Sequence, residues 1–303
     1  MLSASNIPTP NHSSDYSEPT TVLLLPAFTI IENVTPPAVP ALIAEFVDKA
    51  PTTTSPLGPV ALPKSLGGDT AGEPEAKIEM ENGTANGDVV ATNGTTAAVS
   101  GEQTAATEVP STETPEATRN GTAAAQHAAP AIKLPPGVPA LSRRPCPHSV
   151  LLLLCSQKTR DARCGQSAPL LRRELERLLR PLGLFRDLDD ERPGGVGIYF
   201  ISHVGGHKYS ANVMVYRRPD AFGLDGASLG GSGDLASLKS RLAPPKTVPE
   251  EEDVGAGQCI WLARIRPDDC ENLVRYTVLQ GKVVKPDRQL RGGFDRAKGL
   301  MSW

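Results

Sequence analysis

Val150, Leu151, Leu152, Leu153 and Leu154 form an unbroken apolar run, the strongest hydrophobic signal in the chain. A run of that length predicts a central β-strand buried on both faces. The period then changes. Leu171, Leu175, Leu178 and Leu179 recur at helical spacing with Arg and Glu between them, which predicts an amphipathic helix over 168–180. Ser167 is its expected N-cap, with Pro181 and Gly183 as its stop. Further strands are predicted at 197–202, 212–216 and 259–264. A second helix, capped by Asp268 or Asp269, is predicted through Val274 and Val278 to Gly281. The order β-α-β-β-β-α predicts the α/β class, with a thioredoxin-like domain over 133–303. The first strand of such a domain presents chemistry at its C-terminal end. A Gly/Pro-rich, then acidic, stretch at 219–257 reads as a mobile insert.

The N-terminal part reads differently. Residues 21–26 predict a strand and 39–47 a short helix, a fragment near 20–48 that must dock on the C-terminal half or stay loose. Residues 50–130 are rich in Thr, Ala, Gly, Pro and Glu and contain no aromatic residue. Such a stretch buries too little apolar surface to offset its ordering entropy, so 1–132 is expected to be mostly disordered.

Charge divides the chain in the same place. Before Lys133 four basic residues face fifteen acids, whereas from Lys133 onward 27 basic residues face 19 acids. The basic half suits an anionic partner, such as an acidic redox protein. Nucleic acid is disfavoured because basic and aromatic residues do not interleave. No apolar run has the length of a membrane span. The five cysteines are an odd number, which argues against a disulfide framework and for a reducing compartment. Arg119 is the first arginine and the N-terminal region is acidic, unlike a mitochondrial presequence, so a cytoplasmic setting is expected.

The candidate chemistry lies in Cys155-x8-Cys164 and in His203-Val204-Gly205-Gly206-His207. Two thiolates and two imidazoles have two main readings, a structural zinc or an iron–sulfur cluster. Gly205 and Gly206 favour a tight turn over a helix between the histidines. Eight residues between the cysteines exceed the usual zinc-knuckle spacing, yet the chemistry alone leaves both metals open. A dithiol oxidoreductase is the third reading, weakened because the spacing is not Cys-x-x-Cys. Lys208 is a candidate cation beside the site, and Arg160, Asp161 and Arg163 candidates for shaping the cysteine loop. Cys146, Cys259 and Cys270 read as ordinary buried thiols.

The motifs Cys155 to Gly165, His203 to Lys208 with Asn212, Trp261 to Pro267, and Gly281 to Val284 together resemble the sucrase/ferredoxin-like family. This family includes the fungal actin-patches-distal and altered-inheritance-of-mitochondria proteins. The resemblance implies a thioredoxin-like ferredoxin holding a [2Fe–2S] cluster through Cys155, Cys164, His203 and His207. It departs at the front, where members usually carry a fuller N-terminal half with its own cysteines. The terminal Met301-Ser302-Trp303 is similar to the tripeptide by which client proteins recruit the cytosolic iron–sulfur targeting machinery. These features imply an electron carrier or redox sensor rather than a substrate-specific enzyme, since no nucleophile or general base stands out. A mitochondrial setting is the alternative the family suggests. A zinc-stabilised interaction module is the alternative function.

Overall fold

Alternation along the apolar run decides the architecture. In the computed structural model, which describes residues 2–13, 15, 17–67, 133–202, 208–228, 233–245 and 249–299, this run is β5 (Val150–Cys155), buried along its whole length. Successive side chains of a strand point to opposite faces. Val150, Leu152 and Leu154 accordingly join one apolar core, and Leu151, Leu153 and Cys155 join another. A strand that feeds two cores has layers packed on both faces of its sheet.

The neighbours of β5 follow the predicted order. β7 (Val196–Ile201) pairs with it in parallel, and β8 (Val213–Arg217) pairs with it antiparallel on the other side. β9 (Gln258–Leu262) and β10 (Leu290–Asp295) extend the antiparallel side, and the short β6 (Phe185–Arg186) adds in parallel beyond β7. The full order is β10-β9-β8-β5-β7-β6. Its central four strands have the thioredoxin-like arrangement. The crossover between the parallel strands β5 and β7 is the helix α2 (Ala162–Leu179). Ala168, Leu171, Leu175 and Leu179 seat α2 on the even-numbered face of β5. The second helix opens as a 3₁₀ turn at Pro267–Asp269, passes through α3 (Cys270–Asn272) and continues π-wound over Leu273–Val278. It packs on the same core through Val274 and Val278. A last short helix, α4 (Pro286–Gln289), leads into β10.

The opposite face of the sheet is covered by the N-terminal residues. β1 (Thr20–Leu24) and β2 (Thr29–Val34) form a hairpin, and β2 also pairs with β4 (Leu141–Pro145), just upstream of β5. β3 (Ser65–Leu66) completes the sheet on the far side of β4, with Ser65 opposite Ser142 and Leu66 opposite Leu141. The helix α1 (Val39–Leu42), prolonged by Ile43–Val47, closes a third core around Ile31, Phe46 and Leu141. The fragment expected near 20–48 is thus larger than its sequence pattern suggests, and it docks. Phe28 and Ile30 reach the odd-numbered side of β5. Of the stretch 1–132 expected to be mostly disordered, residues 17–67 are thus largely packed structure, and 68–132 lie outside the described residues.

The expected mobile insert at 219–257 is, over its described residues, packed structure. Phe222, Leu224, Leu235 and Leu238 are buried in the main core. A 3₁₀ helix at Leu235–Arg241 is capped by Asp234, which accepts from the Ala236 amide. Four apolar anchors outweigh the Gly/Pro composition here. Among the described residues no helix is long and apolar enough to cross a membrane.

His148, at the entrance to β5, is 2 % exposed and its Nδ1 lacks a hydrogen-bond partner. Burial, assisted by the nearby Arg186 guanidinium, lowers its pKa to about 4 from an ordinary 6.5. Between those values the unfolded chain binds the proton and the folded one does not. Stability is therefore retained above pH 6.5 and falls as the pH drops toward 4, by up to about 3 kcal/mol. Urea melts at pH 7.5 and 4.5 should show this loss, and His148→Gln should reduce it. An unchanged pH slope in that variant would assign the effect elsewhere.

Candidate metal centre

Cys155 is the last residue of β5, where the C-terminal end of a central strand meets the loop to the crossover helix. Its amide donates to the Asn212 carbonyl at 3.1 Å, and its thiol donates weakly to the Ser202 carbonyl across 3.9 Å. The parallel register sets Cys155 opposite Ile201. The sulfur therefore sits beside the backbone that leads directly into His203.

Cys164 is not in the loop but in the first turn of α2. The helix starts at Ala162 and is capped by Asp161, whose carboxylate accepts from the Arg163 amide at 2.9 Å. The hydrogen bond from Arg163 holds the Asp161 pKa below the usual carboxylate range. The expected cap, Ser167, instead lies within the helix and donates to the Cys164 carbonyl. Ser167 and Pro169 resemble a helix start in sequence, but the first two turns form ahead of them. This correction improves the chemistry of the site. A thiolate in the first helical turn is stabilised by unpaired amides and by the helix dipole. Gly165 is needed for the same turn, since a Cβ there would stand 2.7 Å from Lys158 Cβ. The segment after β5 folds back against the helix at that point.

Cys155 and Cys164 belong to one buried apolar cluster and are 4 % and 1 % exposed. None of the five cysteines forms a disulfide. Cys146 and Cys259 lie in the same cluster, but burial pushes their pKa values up to about 11 and about 12. Cys270, in the second helix, is likewise raised to about 12 by burial. These three behave as inert apolar side chains. His203 and His207 lie outside the described residues, as do Met301, Ser302 and Trp303. Among the described residues no group of three or more His, Cys, Asp and Glu side chains could hold a metal ion.

Residues flanking the histidine segment converge on the same end of the sheet. Asn212, 4 % exposed, accepts from Trp261 Nε1 at 3.0 Å and donates through Nδ2 to the Tyr209 carbonyl at 2.8 Å. Asn212 thus ties the chain after the histidines to Cys155 on one side and to β9 on the other. Lys208, the candidate cation beside the site, has its Nζ 5.5 Å from the Tyr209 ring centroid. The Arg264 and Arg291 guanidiniums lie 3.8 and 3.9 Å from the same ring centroid. Tyr209 and Arg291 carry no sequence signal of this role, because they meet only through the pairing of β8, β9 and β10.

A family model described as Sucrase/ferredoxin-like matches residues 1–292. The chain is 49 % identical over 67 residues to "Actin patches distal protein 1" of Saccharomyces cerevisiae, a match covering 22 % of this chain and 21 % of that protein. It is 30 % identical over 138 residues to "Altered inheritance of mitochondria protein 32" of Clavispora lusitaniae, covering 46 % and 33 %. The protein of that name in Kluyveromyces lactis is 36 % identical over 129 residues, covering 43 % and 28 %. The chain thus matches a third or less of the length of these relatives. No solved structure matches.

Proposed function

From the premise that the chain belongs to the sucrase/ferredoxin-like family, we propose that it is a one-electron carrier or redox sensor holding a [2Fe–2S] cluster through Cys155, Cys164, His203 and His207. One observation carries the reading. Two cysteines outside any disulfide, one ending the central strand and one in the first turn of the crossover helix, share a buried cluster, and the first adjoins the backbone entering His203. The donor set fits the group. Thiolates hold the iron, and neutral imidazoles in place of two thiolates reduce the negative charge and raise the potential. When bound, such a cluster takes up and releases a single electron.

The residues of the chain supply the rest. The first turn of α2 would present the Cys164 sulfur to the cluster from a fixed backbone. The apolar side chains around both sulfurs, Leu153 and Met214 among them, limit water at the site. An acidic protein is the proposed electron partner, in keeping with the excess of basic residues after Lys133. Met301-Ser302-Trp303 is the proposed recruiting signal for cytosolic cluster insertion, which makes the cytosol the proposed compartment.

Anaerobic isolation from cells tests the reading. The expected product is brown and contains about two iron and two sulfide per chain, and truncation of the last three residues lowers that occupancy. Colourless protein with one tightly bound zinc, from iron-replete cells, would establish the zinc-stabilised module instead.

A further inference from the structure

The cations around Tyr209 lack the carboxylate partners that several other arginines have. Arg143, Arg144, Arg172, Arg217 and Arg218 each pair with a carboxylate. Among the described residues no Asp or Glu pairs with Lys208, Arg264 or Arg291, although all three surround one ring. Arg291 Nη2 donates to the Arg288 carbonyl, while its buried Nε lacks a partner. Three like charges on one phenol repel each other, and the ring offsets only part of this.

Two backbone irregularities build the cluster. Arg264 has a φ of 60°, a left-handed conformation unfavourable for a residue with a side chain. Its amide is fixed to the Ser210 carbonyl and that of Ala263 to the Gln289 carbonyl, both at 2.8 Å. Arg291 is the extra residue of a β-bulge, since Leu290 faces Leu262 and Gly292 already faces Trp261. Bulges re-aim side chains. Two independent departures from regular strand geometry thus bring guanidiniums to the same ring.

The cluster lies next to the proposed centre. The Tyr209 carbonyl accepts from Asn212 Nδ2, and the Asn212 carbonyl accepts from the Cys155 amide. Two hydrogen bonds therefore separate the cationic surface from a proposed cluster ligand. We propose that Lys208, Tyr209, Arg264 and Arg291 form the docking surface for a carboxylate-rich face of a protein electron partner. The inference rests on the electron-carrier reading and assigns its partner-facing surface. Arginine and tyrosine are the residues that most often dominate protein interfaces, and planar guanidiniums match carboxylates in two-point contact. A nucleic acid is the poorer fit, because the one aromatic ring is already engaged by two guanidiniums and offers no platform for a base.

The test uses a fluorescent poly-glutamate peptide of about twelve residues, followed by anisotropy at low and physiological salt. Arg264→Glu and Arg291→Glu should each weaken binding roughly tenfold or more. Arg173→Glu, which makes the same change in net charge at an exposed position of α2, should weaken it less than about twofold. Arg264→Gln should give an intermediate loss and serves if the Glu variant folds poorly. Equal weakening by Arg173→Glu and Arg264→Glu would reduce the effect to net charge and overturn the proposal. An oligothymidylate of equal charge that binds more tightly, and loses affinity in the same variants, would overturn it too. Iron and visible absorbance are read on the same samples. Selective loss of peptide binding in iron-free protein would retain the surface while refuting the electron carrier. Unchanged binding in fully loaded protein would refute the surface alone.

Discussion

Cys155→Ala is expected to yield protein without iron, and so is Cys164→Ala, whereas Cys259→Ala should retain its full complement. The three cysteines share one buried cluster, so each substitution removes one sulfur from similar surroundings. The packing cost is small in each case, on the order of 1 kcal/mol for a side chain of this size. Only the first two cysteines lie where the proposed cluster would sit, at the end of the central strand and in the first turn of the crossover helix. Burial raises the Cys259 thiol to about 12, which makes it a poor ligand. Iron analysis together with a thermal melt separates loss of the centre from loss of the fold. His207→Cys should instead keep iron and lower the potential, by on the order of 100 mV or more, toward the about −400 mV of all-cysteine clusters. Stoichiometric iron in Cys155→Ala protein would remove this residue from the ligand set.

The largest expected effect on stability belongs to Arg218. Its guanidinium pairs with Asp253 through both terminal nitrogens and donates to the carbonyls of His148 and Cys146. It also lies 4.8 Å from the Phe28 ring centroid. One side chain therefore holds together the N-terminal hairpin, the entrance to β5, the end of β8 and the chain entering β9. Arg218→Met leaves Asp253, 4 % exposed, as a buried carboxylate without its cation. The expected cost is about 3–5 kcal/mol, a large part of the total stability of a typical domain. For a domain of this size the melting temperature should fall by on the order of 10 °C. Adding Asp253→Leu should recover part of the loss, because the stranded charge is then removed as well. A single variant that melts within a degree or two of the parent would show that the pair is dispensable.

β5 was legible because five consecutive apolar residues leave no polar face, and β8 and β9 because their apolar residues run at strand length between turn signals. The cysteine pair was legible from its motif. The start of α2 was not, since Ser167 and Pro169 imitate a helix entrance while the working cap, Asp161, sits among charged residues that look like loop. β4 was hidden by Ser142, Arg143 and Arg144, polar residues whose places in the strand are stabilised by pairing and by Glu250, Glu32 and Glu191. β10 was hidden by Gly292 and Gly293 and by its bulge. The surface at Tyr209 could not be read locally, because its cations come from segments far apart in sequence and meet only through the ladder β8-β9-β10.

Antiparallel pairing of Ser65 and Leu66 with Ser142 and Leu141 has a further consequence. The chain departs from this small sheet and returns to it at adjoining rungs. The two feet of the intervening connection are therefore already side by side. The free energy of closing such a connection grows only with the logarithm of its length, about 0.6 kcal/mol per doubling. Evolution can therefore lengthen, shorten or replace the intervening sequence without moving either foot, leaving composition there free to drift while the sheet beneath keeps its register.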